Sequence, residues 1–437
     1  MTGTQASSLA GGAEHKLVQA RRLRSSPFLK QLVNHQPIKV VGAGFSGLTT
    51  AYHLVKAGRK VQVLEKQSRA GGLIKTVRTE HGLVETAANG ILNSARFESM
   101  CRDIGVPLLP TRNDGRKRFI YRGRPRRLPL NFLDVVRLGF SLIKSSLSLR
   151  PRPFETISQW GRRVLGNATT DYLLTPALGG IYAGDSNRLS ASLIFGRAEL
   201  AAHLQTYRPT KAKMGGTVAP QKGMQQLIDG LQSYLENAGV EFIFNHQPKL
   251  QPTEPTIVCL SAREASEYLA GALPELDDAL RQIEMLSLVT ATCFFDRGAA
   301  RLKGFGCLFP LNQGFRARGV LFNDCIFEER GPAHAETWIL GGALDPDIVN
   351  LNDNELRETI CNDRERFYGR TDEPMEIHLT RWPQTLPHYS VDLERVLKTM
   401  PAPPPNIALV GNYLGRIGLA KILERAAFVV DHFPTLA

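Results

Sequence analysis

Apolar and polar positions change period several times along this chain, and each change marks an element. A short apolar run, Ile38 to Val41, ends at a cluster of glycines. Leu48 to Lys56 reads as a helix, and Lys60 to Leu64 returns to a strand pattern that stops at Glu65. Gly82 to Gly90 reads as a strand entering a turn of small residues. From about 95 to 235 the pattern is mostly helical, interrupted by Pro151 and Pro153. Strand-like runs follow near Val240–Phe244 and Thr256–Leu260. Between Leu286 and Leu344 apolar and polar residues alternate with glycine breaks, which predicts antiparallel strands. A helix is expected over Asp353 to Tyr368, and Pro401 to Pro405 forms a stiff linker. Ile407 to Val410 is a last buried strand, leading through Gly411-Asn412-Tyr413 and Gly418-Leu419 into a closing helix that ends near Asp431. No internal repeat is present.

The first of these units carries a recognisable chemistry. Gly42-Ala43-Gly44-Phe45-Ser46-Gly47 is GxGxxG between a strand and a helix, and the next strand ends at an acid 18 residues past the last glycine. Gly42 permits the tight turn, Gly44 lets backbone approach a pyrophosphate, and Gly47 lets the helix pack close on the strand. The helix N-terminus offers free N–H groups to phosphates. Glu65 can accept from both hydroxyls of an unphosphorylated ribose. Gly71-Gly72 then lets the chain pass close to a bound cofactor. A second strand, glycine loop and helix sit at the other end of the chain. The economical reading is an α/β fold with one cofactor domain assembled from both chain ends and other lobes inserted between them. The second helix N-terminus suits a flavin, whose reduced ring carries negative charge.

Composition narrows the class. The chain has 437 residues, enough for a large core in two or three lobes. It lacks an apolar run long enough to span a membrane and a signal-peptide core. Residues 1–37 read as a polar, basic extension, with an organellar presequence as a minor alternative. The six cysteines are scattered without a CxxC pair, so reduced thiols are expected rather than disulfides or a metal site. The formal net charge is +13, and Arg112 to Arg152 holds twelve Lys or Arg against two acids. Within that segment Leu133, Val136 and Phe140 fall at helical spacing, widened by Leu138, Leu142 and Ile143. The pattern suits a helix on an anionic lipid surface, or else a solvated basic face over an ordinary core helix. Nucleic acid is not expected, because no finger, helix-turn-helix or RNP motif accompanies the charge.

Several further blocks carry a resemblance. These are Gly180-Ile181-Tyr182-Ala183-Gly184-Asp185, Lys222-Gly223-Met224-Gln225-Gln226-Leu227 and Gly304-Phe305-Gly306-Cys307-Leu308-Phe309-Pro310. Arg381-Trp382-Pro383-Gln384 with Leu386-Pro387-His388-Tyr389, and the loop Gly411 to Leu419, complete the set. Together with the first motif they resemble the protoporphyrinogen/coproporphyrinogen oxidase branch of the FAD-dependent amine-oxidase-like flavoproteins, over nearly the whole chain after Pro37. The resemblance implies non-covalent FAD and six-electron dehydrogenation of protoporphyrinogen IX, with coproporphyrinogen III as the alternative substrate. A flavin-binding tetrapyrrole carrier without turnover is a further alternative. Chemistry would reside on flavin N5, with no catalytic side chain and no metal. It also implies a cytoplasmic protein peripheral to an anionic membrane, and it allows a homodimer.

Carried over position by position, the FAD contacts are Gly42, Ala43, Gly44, Phe45, Ser46, Gly47, Glu65, Lys66, Gly72, Leu73, Ala87, Ala88, Asn89, Gly90, Lys249, Trp382, Asn412, Ile417, Gly418 and Leu419. Substrate contacts are Arg118, suited to a propionate, and the apolar Leu308 and Phe327. Arg118 could equally be one more member of a basic run, and Leu308, Phe327 and Trp382 could be plain core. The implied division is FAD domain over 38–95, 216–262 and 401–437, a helical membrane-binding lobe over 96–215 and an antiparallel substrate domain over 263–400. The chain departs from the family at Ala87-Ala88-Asn89, at Leu260-Ser261-Ala262, and at Glu424-Arg425-Ala426, where Ser-Gly is common.

Overall fold

The computed structural model describes residues 36–145, 149–246, 249–415 and 417–434; almost all of the expected N-terminal extension lies outside them. A five-stranded parallel sheet runs in the order Glu241–Ile243, Val61–Leu64, Ile38–Val41, Thr256–Val258, Ile407–Leu409. Strands from both chain ends therefore share one sheet. Val40, Val63 and Ile257 are fully buried, as parallel strands covered on both faces must be. The helices Phe45–Lys56, Gln225–Asn237 and Leu419–His432 close one core on it through Leu48, Leu54, Leu231 and Leu423. Each such leucine contributes about 1.5–3 kcal/mol of burial. Val258 and Leu409 belong to a second core with the helices Ala262–Leu269, Pro274–Arg281 and Val391–Thr399.

A seven-stranded sheet forms the other half. Its order is Glu376–Pro387, Met285–Phe295, His334–Gly341, Gly319–Phe322, Gly306–Leu308, Arg118–Tyr121, Pro125–Arg126. Every pairing is antiparallel except Gly306–Leu308 with Arg118–Tyr121. The predicted helix Asp353–Tyr368 covers one face, burying Leu356, Ile360 and Phe367 against Val289, Val320 and Trp338. Asn352 caps this helix and Glu355 returns the bond, a reciprocal capping box.

The expectation of a mostly helical stretch from 95 to 235 needs correction. Leu108–Pro110 and Thr217–Pro220 are strands of a small three-stranded sheet. Arg118–Tyr121 and Pro125–Arg126 belong to the large sheet, so a lobe spanning 96–215 is not wholly helical. These strands are only two to four residues long, and all but Pro125–Arg126, which pairs with the adjacent Arg118–Tyr121, gain their order from partners distant in sequence, which local periodicity does not reveal. The helices Phe132–Ser145, Ile157–Val164 and Thr175–Tyr182 lie between them. In the first, Phe132, Leu133, Phe140 and Ile143 are each more than 60% exposed. Among the described residues no helix is long and apolar enough to cross a membrane. All six cysteines are free thiols, five of them buried.

Beneath the large sheet a buried ionic network fixes one end of the Asp353–Tyr368 helix. Glu336 is fully buried and accepts from Trp338 Nε1 (3.1 Å), Tyr368 Oη (2.9 Å) and Arg364 Nε (3.1 Å). His334, also fully buried, bridges Glu336 (3.1 Å) and Asp324 (3.0 Å). Burial opposes charge on His334, but the bonds to the two carboxylates outweigh it and raise its pKa to about 9. Removing one partner leaves an uncompensated buried charge, so Glu336→Ala should cost about 3–5 kcal/mol in urea unfolding at pH 7. The stabilisation from His334 is fully present below its ordinary value of 6.5 and is lost as pH rises through about 9. Stability measured across that window should therefore fall in the wild type, and the slope should flatten in His334→Gln; an equal slope in both would rule out a charged His334.

Candidate functional site

The site begins where the first strand turns into its helix. Gly42 has φ +99°, a left-handed value that favours glycine, and its N–H donates to Leu64 O (2.7 Å). A Cβ on Gly47 would lie 1.8 Å from Gly42 O, so this glycine serves helix-on-strand contact. Gly44 differs. Its φ of −70° and ψ of 179° suit any residue, and a Cβ there would meet only Gly72 Cα at 4.0 Å. The fold does not need glycine at 44; the space above it does. Gly71 bridges to Gly44, which holds the second glycine pair against the first turn.

Several helix starts are closed by side chains: Ser94, Thr156, Ser261, Asn352 and Ser390 each accept from their own first turn, whereas Gln225–Asn237 and Pro274–Arg281 start without such a cap. The helices starting after Gly44 and Gly418 have no side-chain cap. A Cβ on Gly418 would have no atom within 4 Å. Two uncapped helix N-termini thus open onto space, one from each chain end. That is the arrangement an extended dinucleotide with an anionic centre needs.

Glu65 ends the second strand as expected, 8% exposed. Its carboxylate accepts from Ala43 N (2.7 Å) and Gln67 N (2.8 Å), which locks it beside the glycine turn. Lys66 is exposed and paired with Glu264, and Lys249 is exposed. Leu73 is 41% exposed, and its carbonyl accepts from Thr86 Oγ1 (2.9 Å). Trp382 reaches the same turn, donating Nε1–H to Thr86 O (2.8 Å). Ala87, Ala88, Asn89 and Gly90 follow immediately, and Asn89 Oδ1 accepts from Asn323 Nδ2 (2.7 Å). Tyr389 Oη donates to Asn412 O at the second glycine loop, where Ile417 and Leu419 are half-buried. Leu73 and Trp382 thus meet at Thr86, beside the 87–90 turn, whereas Lys66 and Lys249 make no hydrogen bond to that turn among the described residues. Thr86, Asn323 and Tyr389 were not among the predicted contacts, because each acts through a backbone group or a partner far away in sequence.

The large sheet turns its second face toward the seam between the two sheets. Paired residues share a face, so register places Trp382 with Leu288, Thr380 with Thr290 and Ile339, and Gly319 with Leu308. Leu288, Thr290, Leu308, Leu321, Ile339 and Thr380 are half-buried, whereas their neighbours on the opposite face form the core. Thr290 Oγ1 also donates to Thr86 O (3.1 Å). The Thr175–Tyr182 helix forms a facing wall, with Gly180 so close to Leu308 that a Cβ would lie 2.4 Å from Cδ2. Arg118 pairs with Gly306 on the same face as Leu308, and its exposed guanidinium lies 4.3 Å over the Phe305 ring. Phe327 belongs to an apolar cluster on which Leu321 of this face and Phe305 also pack. It is 2% exposed, packed with Ala219 and Ile326 and pressed against Gly90. The half-open row was legible in the alternation of the Met285–Phe295 strand, but its partners required register.

The departures from the family pattern have structural roles. Ser261 caps the Ala262–Leu269 helix in a capping box with Glu264. Buried Glu424 binds Arg96 (2.9 Å), and buried Arg425 donates to His203 O (3.0 Å) and Leu409 O (3.2 Å).

The profile of the flavin-containing amine oxidoreductases matches residues 45–248 and 256–419, and the chain belongs to that family of flavin-dependent oxidoreductases. Within it, the chain is similar to protoporphyrinogen oxidase 2, chloroplastic/mitochondrial, of Arabidopsis thaliana, at 26% identity over 92% of this chain and 94% of the relative. It is also similar to the coproporphyrinogen III oxidase of Bacillus subtilis, at 19% identity over 90% and 97%. A structure from Exiguobacterium sp. 255-15, named provisionally as a protoporphyrinogen oxidase, shares the fold with TM-score 0.74 and 21% identity over 91% and 98%. Cyclohexylamine oxidase from Brevibacterium oxydans IH-35A shares it with TM-score 0.66 and 14% identity over 90% and 98%.

The contrast between two glycines is testable without any ligand. Gly47→Ala must displace the Gly42 carbonyl and should lose about 3 kcal/mol or more of stability, at or above the usual cost of overpacking. Gly44→Ala should unfold with the wild type in the flavin-free protein and differ from it only when flavin is added.

Proposed function

We propose that this chain is an FAD-dependent porphyrinogen oxidase that converts protoporphyrinogen IX to protoporphyrin IX, with coproporphyrinogen III as the second candidate substrate. The observation that carries this reading is the broad half-open sheet face of Leu288, Thr290, Leu308, Leu321, Ile339 and Thr380. It is aliphatic and hydroxylic, and Arg118 stands on the same face. Such a surface suits a flat apolar macrocycle bearing carboxylates, not a small amine. Similarity to protoporphyrinogen oxidases across nearly the whole chain supports the same reading.

In this reading the glycine turn at 42–47 and Gly72 accommodate the FAD pyrophosphate, with Glu65 at the adenosine ribose. The helix N-terminus at Gly418, Trp382 and the 87–90 turn are the groups that would hold the flavin end, the first offering N–H groups to its reduced, anionic form. Bound FAD supplies the hydride acceptor, three two-electron rounds complete the six-electron oxidation, and dioxygen is the terminal acceptor. The chain's own residues position rather than react. Leu308 and its row hold the macrocycle by apolar contact, and Arg118 fixes a propionate bidentately. The closed wall at Gly180 limits water.

We also infer a peripheral membrane association through the Phe132–Ser145 helix. Its exposed Phe132, Leu133, Phe140 and Ile143 lie in a segment rich in arginine, as in an interfacial helix on anionic lipid. Asp134 anchors the helix inward on Arg122 (2.7 Å), which in turn lies 3.8 Å over the Tyr172 ring.

Anaerobic mixing of the flavin-loaded protein with each porphyrinogen should bleach the flavin, and oxygen should then release porphyrin fluorescence. A yellow protein that bleaches with neither substrate would overturn the proposal. Arg118→Ala should raise KM tenfold or more at unchanged flavin content; equal loss of both would remove Arg118 from the substrate site. Phe140→Glu with Ile143→Glu should abolish co-sedimentation with phosphatidylserine vesicles and leave turnover in detergent intact. Undiminished sedimentation would place lipid contact elsewhere.

A further inference from the structure

Away from the cleft, two adjoining cavities of about 470 and 450 Å³ share Arg112, Asp114 and Glu328 and form one trough. Arg297, on its wall, lies beyond the far end of the Met285–Phe295 strand, whose near end pairs with Trp382. At the rise of a strand, that separation is roughly 25 Å. That end of the trough is therefore remote from Trp382, while Phe327 on its inner wall backs onto Gly90.

Its walls carry five cations: Arg112, Arg116, Arg297, Lys303 and Arg330. Arginines elsewhere in the molecule are commonly ion-paired, as Arg96, Arg163, Arg316 and Arg364 are. Among the described residues, none of these five has a carboxylate within ion-pair distance. Arg112 donates to Asp324 O (3.1 Å), Arg297 to Pro332 O and Gly331 O, and Arg330 to Pro220 O (3.2 Å) and Gln221 O (3.3 Å). Backbone carbonyls orient a guanidinium without neutralising it. Arg330 is only 6% exposed and lies 5.1 Å over the Phe327 ring, and burial pulls its pKa below the ordinary value. Of the four acids on the walls, Asp324 is paired with His334 and Asp114 with Lys117, whereas Glu329 bonds only the neutral Gln221 amide and Glu328 is exposed.

Glu85 and Glu329 offset the charge of Arg330 only from beyond ion-pair distance, and an arriving anion in direct contact would offset more of its burial cost. We propose that this trough binds a small polyanion with two or more carboxylate or phosphate groups. Its volume lies within the range of small-molecule sites, and its arginines are suited to bidentate recognition of either group. Phosphate-bearing metabolites and polycarboxylates are the two sources of that chemistry.

The test is calorimetric titration of the flavin-loaded full chain with pyrophosphate and, separately, with tricarballylate, at low ionic strength. Saturable binding of at least one, near one per chain, is expected. Arg297→Ala with Lys303→Ala should weaken it at least tenfold while flavin content and porphyrinogen turnover stay unchanged. A charge-matched control, Arg263→Ala with Arg395→Ala, should bind as the wild type. Binding of pyrophosphate alone assigns phosphate, and of tricarballylate alone assigns carboxylate. Absence of saturable binding by both, equal binding by the trough variant, or equal weakening in the control would each overturn the proposal.

Discussion

One constraint governs the molecule: the strand Thr256–Val258 must lie between the first strand of the chain and the last. A parallel sheet buried on both faces tolerates no missing member, because each strand's backbone groups and both its faces need neighbours. Closing that sheet brings together two glycine turns that are almost a full chain apart. The large sheet is tied across the seam by hydrogen bonds from Trp382 and Thr290 to Thr86 O and from Asn323 to Asn89, and by packing of Val84 with Phe294 and Ala335. The cofactor side and the cleft are therefore not independent modules. Displacing the Thr86 carbonyl would move the flavin turn and unseat Trp382 and Thr290 together.

Much of this was legible in the sequence. GxGxxG with a following strand and acid has only one economical structure, and the pairing of Glu65 with Ala43 N follows from that structure. The Asp353–Tyr368 helix was legible from its own pattern. What remained hidden depends on partners distant in sequence. Arg118–Tyr121 becomes a strand because Gly306–Leu308 lies beside it, and nothing in four residues announces that. The buried Glu336 network is equally silent, since acids and arginines in an alternating strand and a surface helix read as solvated until register stacks them. Phe327 shows the opposite limit. A motif assigns it a role, and the fold supplies tight packing against Gly90.

The glycines separate two kinds of information that a motif merges. Gly42 and Gly47 are required by the protein itself, one by a positive φ and the other by a carbonyl where a side chain would be. Gly44 borders open space with an ordinary φ, whereas Gly418 borders open space at φ +98° and so belongs to both kinds. Only the second kind speaks for a ligand. The same sorting applied to the unusual residues Ser261, Glu424 and Arg425 returns the structural answer, since each ends in a cap or a buried hydrogen bond.

The position of Ile407–Leu409 at the edge of the parallel sheet also has a consequence for biosynthesis. On the ribosome, the first strand and its glycine turn emerge early, yet their sheet cannot be completed until the final strand and the Leu419–His432 helix have been translated. The nascent chain thus carries an unfinished apolar sheet through almost its entire synthesis. Closure of the sheet waits on that last strand, and a premature stop anywhere before residue 407 yields a product with an unfinished parallel sheet rather than a smaller enzyme.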